Sequence, residues 1–110
     1  MSRVERAKGV RGEREVLELL ERAGFEVRGL EATGDHLAIG HGLTLHVETK
    51  RQELARPWAW WEQASSEAPA GTFPLVAFRR SRSRWLAIVD LEELLGRLDP
   101  TATTPTRVFR

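Results

Sequence analysis

A glycine-bounded tripeptide, Gly40-His41-Gly42, interrupts two segments of the chain that are rich in β-forming residues. Glycine tolerates the backbone angles that a tight turn requires, so the sequence predicts a hairpin of strands over 37–39 and 43–50. Side chains alternate between the two faces of a strand. Positions 43, 45, 47 and 49 therefore share one face of the second strand, and His46, Glu48 and Lys50 share the other.

The remaining segments predict a sheet flanked by helices. The periodicity of residues 4–23 indicates a helix that Gly24 ends, and Pro57 opens a second helix that runs to residue 67. Further strands are predicted over 25–28, 73–79 and 85–89, and a last helix, capped by Asp90, over 91–98. The order α-β-β-β-α-β-β-α indicates an α/β fold with a central mixed sheet. We expect one domain over residues 1–98 and a tail over 99–110 that is loose or partner-dependent.

Composition narrows the chemistry. A chain of 110 residues sustains one hydrophobic core. Cysteine, tyrosine and asparagine are absent, and the three histidines all lie between positions 36 and 46, which is a poor arrangement for a zinc cage. Catalysis must then use carboxylates, lysine, arginine or a hard cation. No apolar run has the ~20 residues of a membrane span, so we expect a cytoplasmic protein without membrane contact.

The predicted hairpin brings candidate catalytic groups together. Asp35 precedes its first strand and lies within about one residue of the position opposite Glu48, which shares a strand face with Lys50. Carboxylate oxygens suit Mg²⁺ or Mn²⁺, and a neighbouring lysine can orient a water and offset the charge that develops on a phosphate. The pattern predicts metal-assisted phosphodiester hydrolysis. The alternative is a cross-strand ion pair without catalytic function.

Glu13 is a candidate third carboxylate. Helical spacing places it on one stripe with Val10, Leu17 and Leu20, which predicts that this stripe faces the core. A carboxylate there is costly unless it is paired or binds a cation. The alternative is an ion pair between Glu13 and an arginine near the start of the helix.

The motif Gly34-Asp35, followed by Glu48-Thr49-Lys50, resembles the active site of the PD-(D/E)XK nuclease superfamily. Within that superfamily, the start of archaeal-type Holliday junction resolvases is similar to the segment Lys8-Gly9-x-x-x-Glu13-Arg14-Glu15, with Leu19-Leu20 and Gly24-Phe25 after it. The likeness spans about residues 7–50. It departs from the family where Gly34 replaces the usual proline and where the loop before Asp35 is about two residues shorter.

The resemblance implies a restriction-endonuclease-like fold and a homodimer that cuts branched DNA, the four-way junction, with Mg²⁺ or Mn²⁺ as cofactor. It implies that Glu13, Asp35 and Glu48 hold the metal together with the backbone carbonyl of Thr49, and that Lys50 is the catalytic lysine. It also implies DNA contacts by Lys8, Arg14 and Arg28. Three further residues are candidates for DNA contact. Arg11 lies in a cluster of basic residues near the start of the chain, and Arg51 directly follows Lys50. Gln63, in the helix after the motif, is a candidate that would also lie near the metal-bound water.

Two other functions fit the same residues. One is a nuclease of this fold that acts on flaps, mismatches or duplex DNA, and the other is a nucleic-acid-binding module whose acids are only ion-paired. The tryptophans do not decide between them. Trp58, Trp61 and Ser65 share a helix face, which favours packing in the core or in a dimer interface over stacking on unpaired bases.

Overall fold

The computed structural model describes residues 3–30 and 35–98, with side chains for residues 9–30 and 35–98. The predicted tail, 99–110, and Gly34 lie outside the described residues. The elements are α1 (Arg3–Arg22), β1 (Glu26–Gly29), β2 (His36–Gly40), β3 (Leu43–Arg51), α2 (Pro57–Glu67), β4 (Phe73–Arg79), β5 (Leu86–Ile88) and α3 (Leu91–Leu98). Their order is the predicted one. Within these residues no helix is both long and apolar enough to span a membrane.

The five strands form one mixed sheet in the order β1-β2-β3-β4-β5. Strands β3 and β4 are parallel, while the other neighbouring pairs are antiparallel. Parallel neighbours need a crossover connection, and α2 provides it. Helix α1 packs on the opposite face of the sheet, against the side chains at alternate positions of β3 and β4. The predicted central sheet flanked by helices is thus confirmed.

The Gly40-His41-Gly42 turn is tight and anchored. His41 and Gly42 both have positive φ, 50° and 74°, as a two-residue hairpin turn of type I′ requires. The Nε2 atom of His41 lies 2.6 Å from the carbonyl oxygen of Ala23, and its ring meets Phe25 edge-on. The turn of the hairpin is therefore tied to the residues that follow α1.

Each face of the sheet has its own core. Val16, Val47 and Phe73 belong to the cluster beneath α1, and Trp60 with Val76 to the cluster beneath α2. Trp58 does not pack in the core of the single chain, and packing of its helix face in a dimer interface stays a prediction. Positions 60 and 64 face the sheet instead, so Trp60 is 5% exposed and Trp58 is 78% exposed.

The face of α1 that is buried against the sheet differs from the predicted one. Gly12 and Val16 are buried, whereas Val10 and Glu13 are exposed. The reason is the close approach at Gly12, where an added Cβ would lie 3.3 Å from side-chain atoms of Arg51 and from the indole of Trp85. Glycine at this position lets the helix sit directly on these two side chains, which turns position 13 outwards.

Glu15 joins α1 to the strands beyond it. Its Oε1 atom accepts hydrogen bonds from Nη1 of Arg79 and from Nε1 of Trp85, each 2.9 Å long. Trp85 was predicted to begin the last strand, but β5 starts one residue later, at Leu86. The indole is partly buried and packs against the cluster beneath α1.

Candidate metal centre on the α2 face of the sheet

A polar row runs along the central strand beneath α2. Alternation along β3 directs His46, Glu48 and Lys50 to the same face, opposite to Leu45 and Val47. Because β3 is the middle strand and α2 covers this face, His46 is 0% exposed and Glu48 is 5% exposed. Buried polar groups destabilise a fold unless they are paired, so this row requires partners.

Asp35 lies beside Glu48. The β2–β3 ladder pairs His36 with Val47, and one further step of that register sets Asp35 opposite Glu48. The N–H of Leu30 donates a 2.8 Å hydrogen bond to the backbone carbonyl of Asp35, which holds this residue in line with the sheet. The structure thus brings together the two carboxylates that the hairpin register predicted to be neighbours.

Helix α2 adds a second set of polar groups from above. The Nζ atom of Lys50 lies 3.0 Å from Oε1 of Glu48 and donates to Oε1 of Gln63 at 3.4 Å. The amide of Gln63 donates in turn to Oε1 of Glu67, at 3.2 Å. A continuous chain of polar contacts therefore links the strand carboxylate to the end of the helix.

Three carboxylates meet at this point. One oxygen each of Asp35, Glu48 and Glu67 lies within 4.8 Å of the others. An all-oxygen donor set suits a hard divalent cation such as Mg²⁺ or Mn²⁺. Oε2 of Glu48 is buried and has no hydrogen-bond partner in the structure, an unmet requirement that a cation would satisfy. The residues present therefore fit a divalent metal.

The electrostatics of Glu48 agree with this fit. Burial raises the pKa of Glu48 above the ordinary value, and the nearby carboxylates of Asp35 and Glu67 raise it further. Lys50 acts in the opposite direction, through its hydrogen bond and its charge, without cancelling the effect of burial. A divalent cation would favour the ionised carboxylate that the protein alone disfavours.

His46 supports the site from below. Its Nε2 atom lies 3.2 Å from Oδ2 of Asp35, which is an ion-pair distance, but the angles are not those of a hydrogen bond. The ring is wholly buried and lies beside Asp35.

The third carboxylate of this group is not the one predicted. Glu13 is exposed on α1 and is not part of the group, whereas Glu67 is. A sequence signal for Glu67 did exist. It lies four residues after Gln63, and such pairs share a helix face. Gln63 was predicted from the sequence, whereas Glu67, one turn later on the same helix face, was not.

The predicted DNA contacts are dispersed. Arg28, on β1, pairs in register with Leu37 and so lies on the α2 face, with its side chain 63% exposed and bonded to Glu26. Arg11 and Arg14 are exposed on α1. The side chain of Lys8 lies outside the described residues.

Arg51 lies away from the candidate site, whereas Gln63 lies at it. One residue beyond Lys50, Arg51 points to the opposite face by strand alternation and lies beneath Gly12 of α1. Its Nε and Nη1 atoms are buried without a hydrogen-bond partner in the structure. Gln63 does lie at the candidate site, between Lys50 and Glu67.

Comparison with known proteins relates the chain to a solved structure. No protein-family model matches the sequence, and no curated protein does. Among solved structures, the chain is similar to Hjc from Archaeoglobus fulgidus, a Holliday junction resolvase from an archaeal hyperthermophile. The two share 26% sequence identity with a TM-score of 0.61, over 74% of this chain and 72% of that chain. This similarity confirms the predicted resemblance to archaeal-type resolvases and the predicted restriction-endonuclease-like fold.

Proposed function

We propose that the chain is a divalent-metal-dependent endonuclease that resolves four-way DNA junctions by hydrolysing phosphodiester bonds. The observation that carries the proposal is the placement of Lys50 3.0 Å from Glu48, within a group of carboxylates that includes Asp35. Metal-assisted hydrolysis of a phosphodiester needs this combination of charges. The structural similarity to an archaeal Holliday junction resolvase supports the choice of substrate.

In the proposed reaction Asp35 and Glu48 would hold the cation, Mg²⁺ or Mn²⁺, and the backbone carbonyl of Thr49 would be a further ligand. A bound cation would stabilise negative charge on the phosphate and on the departing 3′ oxygen. The ammonium of Lys50 positions the attacking water and donates to a non-bridging phosphate oxygen in the pentavalent transition state. Gln63 accepts a hydrogen bond from Lys50 and so restricts where that ammonium can point.

DNA would approach the α2 face at the edge formed by β1. Arg28 presents an exposed guanidinium there, and guanidinium groups bind phosphates well. Lys8, Arg11 and Arg14 on α1 are proposed to hold a flanking arm of the junction. Arg51, for which a phosphate contact was predicted, lies on the opposite face of the sheet, beneath Gly12.

We also propose that two copies act together. One chain carries one candidate site, and resolution of a junction requires cuts in two strands, which a two-fold dimer would make symmetrically. Exposed apolar side chains of α2, β5 and α3 offer a candidate interface. This apolar surface consists of Trp58, Leu86, Leu91, Leu95 and Leu98, of which the last three form a stripe along α3. A pocket between α2 and the end of β5, lined by Trp61 and Ile88, adjoins it.

The decisive experiment is a nicking assay on an immobile four-way junction, with Mg²⁺ or with EDTA, beside flap and linear duplex substrates. We expect paired, nearly symmetric nicks in the junction alone and only with metal. Equal cutting of flap or duplex DNA would support the assignment as a nuclease and contradict the assignment as a junction resolvase. Binding without cutting, in Mn²⁺ as well as Mg²⁺, would identify a nucleic-acid-binding module.

A further inference from the structure

We infer that Glu67, at the end of α2, is the third carboxylate ligand of the metal centre, in the role that the sequence suggested for Glu13. The inference rests on the proposed function only in that it assigns the same metal site. It assigns the third carboxylate to α2, the crossover helix between β3 and β4, and not to α1.

The first support is geometric. Glu67 offers a carboxylate oxygen within 4.8 Å of oxygens of both Asp35 and Glu48. A cation that binds all three oxygens would draw them closer together. The side chain is also held, because Gln63 donates to its Oε1 atom from one turn earlier on the same helix. An exposed glutamate normally explores several rotamers, and this hydrogen bond removes part of that freedom before metal binds.

The second support is independent of Glu67 itself. Glu48 is 5% exposed, and its Oε2 atom is buried with no hydrogen-bond partner in the structure. Its other oxygen already contacts Lys50. A protein that buries a carboxylate oxygen without a donor leaves a polar group unsatisfied, and a cation at the centre of the three carboxylates would satisfy it.

Charge balance points the same way. One ammonium, that of Lys50, lies among the carboxylates of Asp35, Glu48 and Glu67. The carboxylates of Asp35 and Glu67 lie beside that of Glu48, so like charges face one another in the absence of metal. A divalent cation would neutralise the excess of negative charge. Glu13 lies outside this group and is exposed on α1, the helix that packs on the other face of the sheet.

The test measures binding of Mn²⁺ alone to the full chain by isothermal titration calorimetry, without DNA. The variants are Glu67→Gln, Glu13→Gln and Glu62→Gln, the last being an exposed control on the same helix. We expect Glu67→Gln to weaken Mn²⁺ binding at least tenfold, since even the loss of groups outside the ligand shell costs about 10–100-fold. Glu13→Gln and Glu62→Gln should stay within about twofold of the parent chain. Circular dichroism in EDTA checks that each variant is folded.

The outcomes separate this inference from the proposed function. If Glu48→Gln loses Mn²⁺ while Glu67→Gln binds it as the parent does, the assignment of Glu67 is wrong and the proposed function stands. If only Glu13→Gln weakens Mn²⁺ binding, Glu13 on α1 is the third carboxylate ligand and the assignment of Glu67 is wrong. Selective weakening by Glu67→Gln, in a chain that never nicks a junction, would support the metal ligand and reject the nuclease. A parent chain that binds no Mn²⁺ would remove both.

Discussion

The ammonium of Lys50 lies 3.0 Å from Oε1 of Glu48, two residues apart on the same face of β3. This contact fixes the ammonium beside the carboxylate group and leaves donors for a phosphate, since lysine carries three. Replacing Lys50 by Met keeps most of the stem and removes the charge. We expect single-turnover nicking of a four-way junction to fall by about 10²–10³-fold, the usual effect of losing one group that stabilises transition-state charge.

Junction affinity should change little in Lys50→Met, because exposed arginines supply most of the proposed phosphate contacts; fluorescence anisotropy in Ca²⁺ would measure it. Arg22→Met is the matched control, since Arg22 is an exposed cation at the end of α1 that bonds only Glu18 among the described contacts. Its nicking rate should equal that of the parent chain. Parent-like cleavage by Lys50→Met would remove the proposed mechanism.

The raised pKa of Glu48 makes stability depend on pH in a specific direction. Burial is the main cause, so the folded chain binds a proton more tightly than the unfolded chain does. Stability should therefore fall as pH rises from the ordinary glutamate pKa, near 4.5, through the raised pKa of Glu48. The variant Glu48→Gln removes this contribution. In EDTA at pH 7 it should unfold at a higher temperature than the parent chain.

The comparison is made by thermal unfolding of both proteins in EDTA between pH 4 and pH 8. The advantage of Glu48→Gln should shrink as pH falls, since the parent carboxyl is then protonated in both states. In saturating Mn²⁺ at pH 7 the parent chain should instead unfold at the higher temperature. A cation that binds only the folded parent stabilises it by about 2.7 kcal/mol at 100 times Kd. An advantage that grows as pH falls would contradict the assigned cause.

The hairpin was predictable because local rules determine it. Glycines around His41 fix the turn, and strand alternation then places Glu48 and Lys50 on one face whatever the rest of the fold does. Asp35 follows from the register. The orientation of α1 was not predictable in the same way, because Glu13 turns outwards only through the approach of Gly12 to Arg51, a contact across 39 positions of sequence. Helical periodicity identifies a stripe but not the rotation that tertiary packing selects.

The same limit applies to α2. Its three tryptophans all satisfy an apolar pattern, and only the position of Val76 beneath the helix shows that Trp60 is the buried one. Glu67 was missed for a related reason. Its partners lie just before β2 and on β3, so its role depends on how far along the sheet the helix extends, a distance that sequence spacing does not encode.

Two glycines should respond in opposite directions to alanine. A Cβ on Gly40 would lie 2.9 Å from the carbonyl oxygen of Gly24 and 3.1 Å from the ring of Phe25, so the turn and the end of α1 would have to separate. We expect Gly40→Ala to lower the free energy of unfolding by about 1–3 kcal/mol. A Cβ on Gly9 meets nothing within 4 Å, so Gly9→Ala should raise it by about 0.5–1 kcal/mol through helix propensity.

Urea unfolding followed by circular dichroism measures both changes. The m-values should stay those of the parent chain, because neither substitution alters the surface that unfolding exposes. Equal stability of Gly40→Ala and the parent would show that the hairpin turn does not depend on its contact with the end of α1.

The apolar surface defined above predicts a dimer that a single charge can break. Trp58 is 78% exposed and adjoins the pocket that Trp61 and Ile88 line, which is the kind of aromatic anchor that dominates interfaces. We expect the parent chain to sediment as a dimer at micromolar concentration and Trp58→Glu to sediment as a monomer, with a dimer Kd raised at least about 30-fold. The control is Leu54→Glu, which alters an equally exposed apolar residue, 71% exposed, outside this surface.

Cleavage connects this interface to the proposed function. The Trp58→Glu monomer should still bind Mn²⁺, because none of the three carboxylates of the metal centre belongs to the apolar surface. Its nicks in a four-way junction should be single and unpaired, whereas those of the parent chain and of Leu54→Glu should be paired. A dimeric Trp58→Glu would place the interface elsewhere on the molecule. A parent chain that is monomeric both free and on the junction would mean that this surface binds a different partner, and that paired cutting does not come from two copies of this chain.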